Sequence, residues 1–476
     1  MSFFHEHPQI RIIQDIARKK KVSVYLVGGF LRDYLLNRPC QDFDFTLKKD
    51  ALKIARQFAR RIKGAFVVLD KERGCARVVK KKDDSILTFD FADFRAPTLK
   101  KDLLHRDFTI NTLCVDLNAI DDSTQLSQVL LNFKKGWQDI KLKKIRTTSV
   151  KAFKEDPLRL LRAFSLKAML DFKIEPQTLT RIRKDKDLIR GVSYERIRDE
   201  LFKILETARA AENLKAMDKI GLLEKIIPQI TVMYNVKQGG YHHLDVWPHS
   251  LETVAQLERV FMEMENNSDV LSYVNEPLAG PRRRHGLMKL AALLHDIGKP
   301  DTLKKEEGRV SFHGHERVGK SIVRSVAKLL KLSTKERVIL EDMVLWHLRP
   351  GYLSNFQNPS ERSIFRYFRD TKDEAVSISL LSLADQRSTR GPLTTANDQK
   401  HHEKICLRLI GRWFEMKKQK PFVRLITGHD LINKLKLIPS PLFAKILREI
   451  EEQQAVGKIA TKQEALALAE EITKQK

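Results

Sequence analysis

Asp42 and Asp44 stand one residue apart in CQDFDFTL (40–47), alternating with Phe43, Phe45 and Leu47. In a strand, residues i and i+2 share a face. This spacing therefore sets two carboxylates side by side and the apolar side chains on the other face. Like charges so close repel, and a cation between them removes the conflict. Just upstream, YLVGGFLRD (25–33) reads as a strand that ends at Gly28-Gly29 and opens into a helix. Paired glycines let the backbone approach a phosphate, and helix N-terminal N–H groups favour anions. Arg32, one turn in, is placed to clamp a phosphate bidentately. Hard carboxylates beside a phosphate loop suit Mg²⁺, and two such ions can activate a hydroxyl and stabilise a leaving pyrophosphate. Asp90, in TFDF, has the same apolar-flanked setting; it reads equally as a third metal carboxylate and as a solvent-facing strand residue.

Short β-branched or aromatic runs surround these residues: KVSVYLVGG, AFVVLD, ARVVKK, SILTFDFADF and NTLCVDL. Helical patterns fall between them, as in DALKIARQFARRIK. From about residue 146 strand signals nearly vanish. FKEDPLRLLRAFSLKAML and SYERIRDELFKILE repeat apolar residues with the helical period. The stretch 227–250 reads as a turn-rich connection. The expected fold class is α+β: a head with a small mixed sheet, then a long all-helical body. The expected division is a head (1–145), a helical neck (146–230), a histidine-rich helical domain (231–415) and a C-terminal helical arm (416–476).

At 476 residues the chain is too long for one typical core. Its net charge of +27 points to a polyanionic partner, most simply nucleic acid. Four scattered cysteines without a CxxC pair argue against a disulfide scaffold or a cysteine zinc site and fit reduced thiols. No secretory signal and no long uncharged apolar run are visible. A cytoplasmic location and no membrane partner are expected.

In EDPLR (155–159), Asp156 and Arg159 lie at i and i+3, which on one helix would share a face. An arginine donates and an aspartate accepts. Cytosine and adenine each place an amino donor beside a ring-nitrogen acceptor, which suits such a pair. Uracil and guanine present a carbonyl and an N–H instead, and would leave buried groups unpaired. By itself the pair reads first as an intrahelical salt bridge.

GGFLRD, DFD, HRDFTINTL (105–113), EDPLRLLRA (155–163) and YERIRDEL (194–201) occur in one order. Together they resemble the class II tRNA nucleotidyltransferases, the family of CCA-adding enzymes and bacterial poly(A) polymerases, densely over 20–230. The resemblance implies that Asp42 and Asp44 hold Mg²⁺, with Asp90 beside them as the catalytic candidate. It implies nucleotide contacts from Gly28, Gly29, Arg32, Arg106, Asp107 and Asn111. Asp156 and Arg159 would act as a protein template for C and A, with Arg162 facing phosphate. The partners implied are the tRNA 3′ end, CTP and ATP. The family usually carries two arginines before the motif's aspartate; here His105 replaces the first. Members that add the terminal A usually carry a longer flexible loop than the sixteen residues between Asp90 and Asp107. This leans the reading to CC addition, with a separate A-adding enzyme as partner; a full CCA-adding enzyme is the alternative, then an A-adding enzyme or a poly(A) polymerase.

The helical body carries His249, the adjacent His295-Asp296 in LLHDIGKP, His315, His347 and Asp385. This order resembles the HD superfamily of metal-dependent phosphohydrolases. Imidazole and carboxylate ligands suit Mn, Ni, Co, Fe or Zn. His242, His243 and His313 read as substrate-facing, supporting or merely exposed. The basic runs RRRH (282–285) and KLKK (141–144) are candidate tRNA phosphate contacts. A reading of a different class is an HD phosphohydrolase whose head only binds RNA.

Overall fold

The computed structural model describes residues 3–82, 85–121, 124–306, 309–419 and 422–474. Residues 420, 421, 475 and 476 of the expected arm thus lie outside the described residues. The chain forms two compact units, 1–200 with 220–225, and 201–219 with 226–476.

The first unit is built on one six-stranded sheet, in the order β3-β4-β5-β2-β1-β6. The strands are β1 (Val24–Val27), β2 (Asp42–Leu47), β3 (Ala65–Asp70), β4 (Cys75–Lys82), β5 (Ser85–Asp93) and β6 (Cys114–Asp116). Only β2 and β5 run parallel; their register sets Asp44 opposite Asp90. The other pairs are antiparallel, and β1 places Val27 beside Asp44.

The alternation in β2 has the expected consequence. Phe43 stacks on Phe89 at 4.9 Å, and Phe45 on Phe91 at 5.0 Å. Phe58, from the helix Ala51–Ile62, packs across Phe89 and Phe91. That helix buries Ala51, Ile54, Ala55, Phe58 and Ala59, one face at helical spacing. It covers the apolar face of the sheet and leaves the carboxylate face open.

Asp156 and Arg159 do not share a helix, contrary to the sequence expectation. The helix Ala152–Glu155 stops, Asp156 is extended (φ −149°, ψ 100°), and a new helix runs Arg159–Leu170. The cause is Pro157, whose ring disfavours the helical region for the residue before it. Pro157 accordingly lies in the turn before the second helix, not within it.

The second unit is helical among its described residues, apart from short two-stranded ladders. Val246–Glu263 is already helix, so the connection expected over 227–250 ends earlier than its composition suggested. The arm packs about Ile426, Leu431, Ile446, Ile450, Ala465 and Ala469. All four cysteines are free. Among the described residues no helix is long and apolar enough to cross a membrane.

Candidate functional site

In the head, Asp42, Asp44 and Asp90 occupy one face of two adjacent strands. Their apolar neighbours Phe43, Phe45, Phe89 and Phe91 are all buried on the other. Burial raises the pKa of Asp44, as do the Asp90 and Asp42 carboxylates, while Arg106 and Arg162 lower it. The cluster therefore demands positive charge. Asp90 already receives some: Arg77, its cross-strand neighbour, donates to both its oxygens at 2.8 Å. The three oxygen-donor side chains fit Mg²⁺.

Gly28 closes one wall of this cluster. It adopts φ +83°, and a Cβ there would lie 2.8 Å from Asp44 Oδ2 and 2.9 Å from an Arg106 guanidinium nitrogen. Only glycine leaves that space open. The helix Gly29–Leu35 then starts beside the carboxylates, as the GG turn suggested.

A cleft is lined by Gly28, Gly29, Asp44, Asp107, Asn111, Asp156 and the arginines 95, 106, 159, 162 and 196. The Nε of Arg106 is buried there without a hydrogen-bond partner. Asp107 accepts from Arg162 Nε at 2.6 Å and Asn111 Nδ2 at 2.9 Å. Burial alone would raise the Asp107 pKa; Arg162, Asn111 and the Phe108 N–H outweigh it and hold it at about 2. Arg32 differs from its expected use. It is buried, and its guanidinium donates to Asp33 at 2.9 and 2.7 Å and to Asn111 Oδ1 at 2.7 Å. It braces the chain Asp33–Arg32–Asn111–Asp107–Arg162 rather than standing free for a phosphate. Arg159 is likewise buried and donates to the carbonyls of Ala152 and His105. Asp156 pairs with Arg196. Sequence reasoning missed Arg77, Arg95 and Arg196 as members of the site; only Arg196 had a signal, its place in the quoted YERIRDEL.

The second unit gathers all six HD candidates. His249 lies in the helix Val246–Glu263 and Asp385 in Ala375–Ser388. The others sit at helix ends: His295-Asp296 after Arg284–Leu294, His315 at the start of His315–Leu329, His347 after Thr334–Trp346. Gly298 permits the junction, since a Cβ there would meet the His315 carbonyl at 2.2 Å.

The Nδ1 atoms of His295, His315 and His347 lie 2.9, 2.8 and 2.8 Å from the carbonyls of Ala292, Phe312 and Val344, each three residues back. A carbonyl only accepts, so each Nδ1 carries the hydrogen and each Nε2 keeps a lone pair. His249 Nδ1 has Ser388 Oγ at 3.1 Å, a hydroxyl that itself donates to the Asp385 carbonyl. The Nε2 atoms converge on the carboxylates. His249 lies 3.0 Å from Asp385, His295 3.2 Å from Asp296 and His315 3.3 Å from Asp296.

Two further observations fit a cation. His315 and His347 face each other Nε2 to Nε2 at 3.4 Å, two lone pairs with no hydrogen to share once each Nδ1 carries one. His295 Nε2 is buried without a well-directed hydrogen bond. Burial lowers the pKa of His347, with His295 and His315, to about 3. Burial alone would also lower that of His295; Asp296 and Asp385 outweigh it and raise it to about 10, drawing a proton to the place that suits a metal ion.

Beside this cluster opens a cavity of about 680 Å³ lined by Asp296, Asp385, Lys299, His242 and His402, among others. That size suits a small-molecule ligand, roughly 300–1,000 Å³. Lys299 Nζ reaches Asp296 at 2.7 Å and Gln238 at 2.5 Å; HDIGK held that lysine in plain view, but only the fold turns it toward the cluster. His242 edges onto His249 at 4.8 Å, whereas His243 and His313 are exposed.

The run RRRH is not the phosphate contact it resembled. Arg282 is buried against Glu336 and Arg284 against Glu276 and Glu374. Only Arg283 of its arginines is exposed. In KLKK, Lys141 and Lys143 are exposed.

Fold and head site together define a nucleotidyltransferase: clustered carboxylates on a small mixed sheet, a glycine turn, and an arginine-lined cleft. Residues 24–146 match the family described as "Poly A polymerase head domain", and 171–233 that of "Probable RNA and SrmB- binding site of polymerase A". Residues 246–390 match the HD domain and 415–469 "tRNA nucleotidyltransferase domain 2 putative". The A-adding tRNA nucleotidyltransferase of Deinococcus radiodurans is 31% identical over 94% of each chain. The CC-adding tRNA nucleotidyltransferase of Thermus thermophilus is 29% identical, over 94% of this chain and 92% of that one. The chain belongs to the class II tRNA nucleotidyltransferases and is an enzyme of that type. The same fold occurs in the Thermotoga maritima CCA-adding enzyme complexed with tRNA, at 21% identity and TM-score 0.61, covering 98% of this chain and 94% of that one.

Proposed function

We propose that this enzyme adds C residues to the 3′ end of tRNA without a nucleic-acid template and stops after CC, leaving the terminal A to a separate enzyme. The observation that carries the stop after CC is the short connection after β5. It holds a helix, Leu99–Leu104, capped by Thr98. Leu103 is fully buried, and buried Asp102 accepts from the Arg95 N–H at 2.9 Å. An anchored segment of this kind is poorly suited to a loop that must move when specificity switches from C to A.

On this reading the head (1–145) and neck (146–230) supply the nucleotide and RNA-end site. Asp42 and Asp44, with Asp90 beside them, would hold Mg²⁺, whose chemistry is to activate the 3′-hydroxyl and neutralise the departing pyrophosphate. Gly28 and Gly29 let the triphosphate approach the backbone. Arg106 and Arg162 face its charge, and Asp107, fixed by Asn111 and Arg162, meets the sugar. Arg32 keeps Asn111 in place. Asp156 and Arg159 pair with the amino donor and ring acceptor of C or A. Addition of A to a CC end is the second reading, favoured by the 31% identity to an A-adding relative. Nucleotide incorporation into tRNA ending before C, after CC and after CCA separates the two.

For the HD domain (231–415) we infer metal-dependent phosphoester hydrolysis, from the four inward Nε2 lone pairs. His249, His295, Asp296, His315, His347 and Asp385 would hold Mn, Ni, Co, Fe or Zn, which supplies a hydroxide nucleophile. Lys299 is placed to neutralise a phosphate. Hydrolysis of a phosphodiester substrate to its monoester and alcohol, lost in His347→Ala but kept in Asp44→Asn, tests it.

A further inference from the structure

The carboxylate assigned to base reading is held by a residue the templating pair does not include. Asp156, extended before Pro157, accepts from the Leu158 N–H at 3.3 Å, a long bond. Its main partner is Arg196, forty residues on, in the helix Tyr194–Leu205. One guanidinium nitrogen, Nη2, lies 3.1 Å from Oδ1 and 2.9 Å from Oδ2. Arg159 donates instead to main-chain carbonyls, at 3.1 Å to Ala152 and 2.5 Å to His105. All three side chains line the cleft that also contains Gly28 and Asp44.

We propose that Arg196 is a specificity-determining positioning residue. It fixes the orientation of the Asp156 carboxylate, and so sets the preference for amino-bearing bases over uracil and guanine. This rests on the base-reading role given to Asp156 and Arg159 above. A carboxylate offers about four lone-pair positions on its two oxygens. A donor shared between the oxygens uses one position on each and stops rotation of the group. The Leu158 N–H takes the second position on Oδ1, so the one left on Oδ2 is free for the amino N–H of cytosine or adenine. The carbonyl of uracil or guanine at that place meets a fixed negative charge and is rejected. Without Arg196 the only other bond to this carboxylate among the described residues is the 3.3 Å contact with Leu158, at the weak end of hydrogen-bond geometry. The carboxylate then turns among rotamers, and the repulsion that excludes a carbonyl-bearing base is relieved.

The test is steady-state incorporation of CTP, ATP, UTP and GTP into tRNA lacking CCA, for wild type, Arg196→Ala, Arg196→Lys and Asp156→Ala, with tRNA affinity measured in parallel. For Arg196→Ala, the kcat/KM ratio of the accepted nucleotide over UTP or GTP is expected to fall about tenfold or more, while tRNA affinity holds. Arg196→Lys should recover much of the ratio, since a single nitrogen makes both bonds; it also controls for folding. An equal loss on all nucleotides overturns the inference, as does weaker tRNA binding with discrimination intact, because Arg196 would then be a packing or phosphate residue. If Asp156→Ala itself keeps full discrimination, the base-reading assignment fails. If Asp156→Ala loses discrimination and Arg196→Ala keeps it, only the role of Arg196 fails.

Discussion

Asp44 and Gly28 show how closely the head site is fitted together. A methyl group at position 28 would press on Asp44 Oδ2 and on Arg106. The backbone there also adopts φ +83°, which side-chain-bearing residues rarely do. Gly28→Ala should therefore lower nucleotide incorporation by about a hundredfold, or about 3 kcal/mol at the transition state, with a much smaller loss of thermal stability. Near-normal incorporation by a folded Gly28→Ala would contradict the fit described. The carboxylates and glycines were legible because their signals are local, an alternation and a doublet. Arg77 on Asp90 and Arg196 on Asp156 were not. Their partners lie 13 and 40 residues away, and only strand pairing and helix packing bring them together.

At the scale of elements, the kink at Pro157 shows where a periodic pattern misleads. The apolar spacing of FKEDPLRLLRA is helical on both sides, but the residue before proline cannot easily follow it. Pro157→Ala would let the helices Ala152–Glu155 and Arg159–Leu170 merge and carry Asp156 away from Arg196. Incorporation should fall while the melting temperature changes little; unchanged incorporation would show that the kink does not position Asp156. In the arm, Glu452 accepts from Arg362, Arg366 and Arg369 at 2.7, 2.6 and 2.7 Å. Burial raises its pKa, but the three arginines outweigh this and hold it at about 2. An unfolded glutamate titrates near 4.3, roughly. The stabilisation from Glu452 is therefore complete above that pH and is lost as pH falls through about 2. Amide exchange in the helix Pro441–Ala455 should accelerate across that window, and at neutral pH in Glu452→Gln. Unaltered exchange in the variant would remove the cluster from the account of how the arm is held.

For the whole molecule, charge was legible in amount but not in place. The excess of +27 argued for a polyanion, yet two arginines of RRRH are consumed by glutamates, two of them, Glu336 and Glu374, buried. Runs of like residues say nothing of which face a short ladder and a helix start will turn inward. Binding to tRNA should still weaken steeply with salt, by about tenfold or more between 50 and 200 mM; a flat dependence in a filter-binding or anisotropy assay would deny the phosphate-contact role of this charge. The six HD candidates were legible as a set in order. The tautomer that points four Nε2 atoms inward was not, because it depends on carbonyls and a hydroxyl placed by the helix ends.

Metal-dependent addition of C to tRNA by the paired carboxylates of β2, limited by a short anchored connection, is checked by incorporation of labelled CTP and ATP, with Mg²⁺, into tRNA transcripts ending before C, after CC and after CCA, using wild type and Asp44→Asn. Two C residues and then a stop are expected, even with ATP present, and no incorporation by Asp44→Asn. Completion to CCA, or A added only to CC ends, would contradict the limit, and incorporation by Asp44→Asn would contradict the site itself.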